Sequence, residues 1–252
     1  MNQIPEDHPR YQSLVTRERI VSGVESGITS VNGLIAQGRG EAFDYLIGEV
    51  TIASARVAER VAAAMLLLAQ TPVISVNGNA AALAPGKLVE LSILLNAPLE
   101  VNLFYKTEER VLEIIEYLEA HGARSVLGAN PDASIPGLSS ERGQVCSEGI
   151  YLADVVFVPL EDGDRCEALA AMGKQVIVVD LNPLSRTARC ATVPVIDNIT
   201  RAVPNIINSV REFKEQPGGY LLEIVESYNN KKGLDAALET ICNNLVELNR
   251  SQ

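Results

Sequence analysis

Two patterns of apolar and polar positions divide this chain. Over the first seventy residues the apolar positions recur at helical spacing. Ser13 reads as the cap of a helix running to Ser26, with Leu14, Val21 and Val24 on one stripe and Gly27 as its stop. After a loop through Asn32-Gly33, residues 40–48 predict a second helix, and the Ala/Leu-rich stretch 52–70 a third. From Thr71 the pattern changes. Short β-branched runs at Val73–Val76, Glu100–Phe104, Ser125–Leu127, Val155–Val158, Val176–Val179 and Val193–Ile196 predict strands. Helical stretches lie between them near 80–95, 107–120, 164–172 and 200–214. Strand–helix alternation of this length predicts a parallel sheet with right-handed crossovers. The tail, 219–250, reads as two more helices, the second with Leu234, Leu238, Ile241 and Leu245 on one face.

The expected fold class is therefore α/β, a Rossmann-like parallel sheet flanked by helices, with helical N-terminal and C-terminal segments. It divides into a helical segment 1–70 that contributes to the site, a core at 71–214 and C-terminal helices at 215–252, all one structural unit. Aromatic residues make up only 4% of the 252 positions and Trp is absent, so Ala, Val, Leu and Ile must build the core. That suits strands covered on both faces.

Charge narrows the function. A formal net charge of −11 repels phosphate backbones and anionic lipid, so neither nucleic acid nor a membrane is an expected partner. Any bound phosphate must be drawn by local arginines against the global field. Cys146, Cys166, Cys190 and Cys242 are scattered without a C-x-x-C, and His8 and His121 lie far apart, so no Cys/His zinc site is expected. The N-terminal residues are polar and the most apolar run, Val61–Ala69, is too short to span a bilayer. A cytoplasmic protein with reduced thiols is the expectation.

Ligands of an open parallel sheet bind at the carboxyl ends of its strands. After Val73–Val76 comes Asn77-Gly78-Asn79, whose small residues let a ligand approach a helix N-terminus; an ordinary strand-to-helix turn reads the same way. After Val155–Val158, Glu161, Asp162 and Asp164 suit either Mg²⁺ or the cap of the next helix. After Val176–Val179 come Asp180, Leu181, Asn182, Arg186, Thr187 and Arg189, an acid for ribose hydroxyls followed by guanidinium and hydroxyl donors for phosphate. Asp197, Asn198, Ile199 and Thr200 repeat that style one strand later. Arg10, Arg17, Arg19 and Arg39 add cations from the leading helices, Arg39 between two glycines at a helix start. His121, before Gly122, reads as a helix C-cap.

Five collinear blocks carry more than these general signals: IPEDHPRY at 4–11, GLIAQGRGEAFDYLIGE at 33–49, PVISVNGN at 72–79, VPLEDGDR at 158–165 and DLNPLSR at 180–186. Together, over residues 4–214, they resemble the archaeal 4-phosphopantoate–beta-alanine ligases, also called phosphopantothenate synthetases. The resemblance implies a homodimeric, Rossmann-like enzyme of coenzyme A biosynthesis. Such enzymes condense (R)-4-phosphopantoate with beta-alanine, using ATP and Mg²⁺ and releasing AMP and diphosphate. It also implies ATP contacts at Arg17, Arg39, Asp180, Leu181, Asn182, Arg186, Thr187, Asn198 and Ile199, Thr187 standing where the family's pattern leads one to expect serine. By charge and placement, Asn77 and Asn79 are expected to orient the substrate and Arg10 and Arg19 to reach its phosphate; His8 and Glu41 are candidates for accepting the amine proton, with Asp44 and the acids at 161–164 as alternatives for base or metal roles. Two other readings suit such a sheet. A nicotinamide-dependent oxidoreductase needs a full glycine fingerprint after the first strand, where only Gly78 stands. A non-catalytic nucleotide sensor needs no second substrate pocket.

Overall fold

The computed structural model describes residues 4–8, 10–160 and 162–250, with side chains as far as Glu247. Strands β1 (Pro72–Val76), β2 (Leu99–Val101) and β3 (Val126–Leu127) come first. A small antiparallel pair follows, β4 (Ala133–Ser134) with β5 (Gln144–Val145), and then β6 (Val155–Pro159), β7 (Gln175–Val179) and β8 (Val193–Val195). Apart from that pair, the strands form one parallel sheet in the order β3-β2-β1-β6-β7-β8. The expected class of fold is the one observed.

One register row shows how the sheet builds the core. Leu99, Ile74, Phe157, Ile177 and Val193 stand side by side across five strands, all fully buried in the larger apolar cluster. Each is worth roughly 2 kcal/mol by removal from water. The alternate residues Val73, Val156, Val176 and Val178 face the other way into a second cluster. Burial on both faces is why these strands read as continuous β-branched runs.

The helices are α1 (Tyr11–Glu25), α2 (Val31–Ile47), α3 (Ala53–Leu68), α4 (Gly78–Leu83), α5 (Pro85–Leu95), α6 (Glu108–Ala120), α7 (Gly163–Ala171), α8 (Arg186–Cys190), α9 (Ile199–Phe213), α10 (Gly218–Glu226) and α11 (Asn230–Arg250). α3 lies along α9 on the face of the larger cluster, and α11 rests on α2 and α3 through Leu234, Ala237 and Ile241. None of the described helices is long and apolar enough to cross a membrane.

Several boundaries differ from the sequence reading. Ser13 is not a cap: α1 begins at Tyr11, and the Ser13 hydroxyl donates to Glu41 instead. Asn32-Gly33 is not a loop but the first turn of α2, capped by Ser30, whose side chain accepts from Gly33 N at 3.2 Å. Glycine is required there because a Cβ would run into Asn79 Oδ1 and Thr29 Oγ1. The expected helix over 80–95 is two, broken where Pro85 lacks an N–H and forces Ala84 out of the helical region (φ −140°, ψ 38°). The second strand stops at Val101, not Phe104. Asn102 N still reaches Val76 O, but its side chain donates to Arg142 O and Gln144 O, and the chain then leaves the sheet. That departure carries Leu103, Phe104 and Tyr105 over the sheet's end. His121 does end α6, as expected.

Candidate active site

The strand order reverses between β1 and β6, and the crevice there is built by side-chain amides. Asn77 caps α4 through Oδ1, which accepts from Ala80 N at 2.9 Å. Its Nδ2 donates across the gap to Pro159 O at 3.0 Å and Leu160 O at 2.9 Å. Asn79 donates to Gly33 O at 2.9 Å and accepts from Thr29 Oγ1, so it ties α2 over the opening. Both amides line the crevice but are largely engaged with the protein, which makes them positioning groups. Leu160, at the crest of β6, is held at φ +60°, a left-handed conformation that costs a side-chain-bearing residue about 1–2 kcal/mol. Such strain clusters at functional sites.

Two cavities adjoin at this crevice, of about 340 and 360 Å³. They share one wall made of Ala36, Arg39, Asn79, Leu160 and Asp162. Arg39 stands there without a hydrogen bond or ion pair among the described residues; burial raises the pKa of Asp180 nearby, and the Arg39 charge opposes that rise.

The first cavity is lined by Thr29, Ser30 and Gly33 from the start of α2, by Asn77 and Gly78, and by Leu103, Phe104 and Tyr105. Two further guanidinium groups enter it. Arg110, in the first turn of α6, donates to Tyr105 O at 2.8 Å and Ile28 O at 3.4 Å, while its buried Nε has no partner. Burial pulls its pKa below the ordinary arginine value, against the nearby charge of Glu113. Arg142 sits on a short turn after β4, only 5% exposed, with Nη1 2.8 Å from Asp162 Oδ2. Three arginines therefore meet one carboxylate in a protein of net charge −11.

The second cavity lies over the ends of β6 and β7, between α2 and α8. Gln37, Gly40 and Phe43 form its α2 side; Gly163, Asp180, Leu181, Asn182, Ser185, Arg186 and Thr187 form the other. Asp180 accepts from Ser185 Oγ at 2.5 Å and from Asn182 N at 2.9 Å, and its burial raises its pKa against those bonds. Arg186 is exposed and pairs with Glu167 at 2.8 Å.

The remaining predicted residues gather elsewhere. Arg10, Arg17, Ser13 and Tyr45 surround Glu41 on the α1–α2 face, with Arg17 Nη2 2.6 Å from Glu41 Oε1. Burial alone would raise the Glu41 pKa, but hydrogen bonds from Arg17, Tyr45 and Ser13 hold it at about 2. A carboxylate so strongly held is a poor proton acceptor at neutral pH. His8 is exposed, its Nδ1 accepting from Arg10 N at 3.0 Å, and Arg19 reaches Leu83 O at 3.3 Å. His8, Arg10, Arg17 and Arg19 line neither cavity. Ile199 is core.

Asn198 belongs to a third cavity of about 370 Å³, where it donates to Asp44 at 2.8 Å. Behind it is a buried ionic network: Arg201 bridges Asp44 at 2.5 Å and Asp197 at 2.6 Å, while Thr51 donates to Asp197 and Asn205 to Glu59. Burial, followed by the neighbouring Asp197, pushes the Glu59 pKa up from 4.5 to about 8, although the bond from Asn205 opposes it. The folded protein thus holds a proton that the unfolded chain has lost over that window. Glu59's contribution to stability is complete below pH 4.5 and is lost as the pH rises through 8. The melting temperature is expected to fall by roughly 5 °C from pH 6 to pH 9, and Glu59→Gln to remove most of that fall in a calorimetric pH series.

Of the acidic run after β6, Asp162 alone of its described members faces the cavities; Asp164 binds its own helix through Arg165 N, and Glu161 lies outside the described residues. No group of three or more His, Cys, Asp or Glu among the described residues is placed to hold a metal. Sequence reasoning missed Arg110, Arg142, Gln37 and the apolar trio at 103–105. Inspecting the end of the second strand as closely as the others would have found Arg110 and the trio. Arg142 has no local signal.

A parallel sheet with this strand order and paired polar cavities at its switch point defines a Rossmann-like binding protein. The chain belongs to the phosphopantothenate/pantothenate synthetase family, whose model matches residues 54–244. It is 57% identical over 241 residues to the 4-phosphopantoate–beta-alanine ligase of Methanosarcina mazei, covering 96% of this chain and 95% of that one. It is 55% identical over 249 residues to the ligase of the same name from Thermococcus onnurineus, covering 98% and 95%. The corresponding figures for Methanospirillum hungatei are 54% over 212 residues, covering 84% and 86%.

Proposed function

We propose that this chain is a 4-phosphopantoate–beta-alanine ligase, which uses ATP to form an amide between a phosphorylated hydroxy acid and an amino acid. The observation that carries the reading is the pair of cavities with a common wall at Arg39, Asn79 and Asp162. The first suits 4-phosphopantoate: Arg110 and Arg142 match its phosphate, and Leu103 with Phe104 its apolar methyl groups. The second suits ATP, with Asp180 and Asn182 toward the sugar and the hydroxyls and guanidinium at 185–187 toward phosphate.

A carboxylate does not react with an amine while its leaving group is oxide. Attack of the pantoate carboxylate on the α-phosphorus of ATP releases diphosphate and leaves an acyl-adenylate. The amine of beta-alanine then displaces AMP, and the amide forms. The chain's part is alignment and charge neutralisation, with Arg39 between the two phosphorylated ligands. The carboxylate of Asp162, on the wall common to both cavities, fits Mg²⁺, which commonly takes one or two carboxylates besides phosphate and water. There it would supply positive charge to the triphosphate.

Carboxylate labelled with ¹⁸O tests the chemistry: with ATP, 4-phosphopantoate and beta-alanine, the label is expected in AMP. ADP as product would establish an acyl-phosphate route instead. The partner is a second copy of the chain, through the exposed apolar face of Val31, Leu34, Ile35 and Tyr45 on α2, and the enzyme works in the cytoplasm.

A further inference from the structure

Among the described residues, Gln37 is the one common to the walls of the second and third cavities. It is 9% exposed, and its amide forms no hydrogen bond among the described residues. The residue is largely enclosed, yet its amide is left open to the cavities it borders. A primary amide offers two donors and an acceptor, and among the described residues this one spends none of them on the protein.

The surroundings select the ligand. Beside Gln37 the second cavity is bounded by Phe43 and Leu181 across from Gly40, where an added Cβ would stand 3.5 Å from Leu181 Cδ1. Two apolar side chains and a bare backbone leave a slot for a flat ring. Beyond Gln37 the third cavity is lined by Glu49, which forms no ion pair among the described residues, and by Glu41 and Asp44, which Arg17 and Arg201 hold. The unpaired carboxylate of Glu49 offers acceptor oxygens, which favour a ring edge bearing an amine over one bearing a carbonyl oxygen. Gln37 is also absent from the wall that the first two cavities share. A nucleotide with its α-phosphorus at that wall leaves the part of the second cavity beside Gln37 for its base.

We propose that Gln37 reads the nucleobase, accepting from the exocyclic amine of adenine and donating to the adjacent ring nitrogen, so that the enzyme selects adenine over 6-oxopurine nucleotides. This rests on the reading of the second cavity as the ATP site. The test compares kcat/KM for ATP and ITP, which differ in that amine, in the wild type, Gln37→Leu and Gln37→Asn. The wild type is expected to prefer ATP by roughly 10–100-fold, the discrimination of a bidentate amide–adenine pair. In Gln37→Leu the preference should fall to about threefold or less, with KM for ATP raised about tenfold and KM for both other substrates unchanged. Gln37→Asn keeps the amide but withdraws it, and should lose the same preference even if the leucine variant folds poorly. Variants that retain the wild-type ATP:ITP ratio overturn the assignment of Gln37 while leaving the ligase reading intact. A wild type that releases no AMP from ATP overturns both.

Discussion

Replacing Arg39 with alanine is expected to lower kcat/KM by about a thousandfold with little change in melting temperature. Its guanidinium occupies the wall common to both cavities and has no ion partner among the described residues, so the fold does not depend on its charge. Preorganised donors that meet developing charge in a dry site are worth about 10²–10³ in rate each, and Arg39 adds a full positive charge. Arg39→Lys is expected to recover about tenfold of the loss, because lysine restores the charge but not the two-pronged geometry. Steady-state AMP release measures both. A loss under tenfold in the alanine variant would remove Arg39 from the centre of the reaction.

The second large effect belongs to a residue that the sequence did not single out. Arg110→Met is expected to raise KM for 4-phosphopantoate by about 100-fold, the loss of charge-assisted bonds to one phosphate. KM for ATP should stay within about twofold, because Arg110 lines only the first cavity. Methionine keeps much of the side chain's volume among Ile28, Tyr105 and Gly78. The readout specific to binding is discrimination: the wild type should prefer 4-phosphopantoate over unphosphorylated pantoate far more than the variant does. If KM for ATP rose instead, the two cavities would have to exchange ligands.

What the sequence revealed and what it hid follow from the range of the interactions. The sheet was legible because burial on both faces makes each long strand a β-branched run, as at Val176–Val179. The place of Asp180, Asn182, Arg186 and Thr187 at the cavity was legible because they follow β7 directly, at the carboxyl edge of the sheet. The start of α2 was hidden by Gly33, which looks like a loop residue until Asn79 is known to lie against it. The fate of the N-terminal arginines was hidden too. Their sequence says only that they are cationic, and whether Arg17 meets phosphate or Glu41 is decided by how α1 lies on α2. Arg142 reaches its cavity from an irregular excursion between β3 and β6, where no periodicity aims a side chain. Local pattern gave the scaffold, while pairings across the fold chose which charges face the ligands.

Amide formation here requires two phosphorylated molecules lying end to end across the Arg39–Asn79–Asp162 wall. The direct measurement is a crystal structure with a non-hydrolysable ATP analogue and 4-phosphopantoate bound together. It is expected to place the pantoate carboxylate within about 3.5 Å of the α-phosphorus, with its own phosphate between Arg110 and Arg142. A structure with the pantoate phosphate on the Arg10–Arg17 face of α1, or with Arg39 turned away from both ligands, would contradict it.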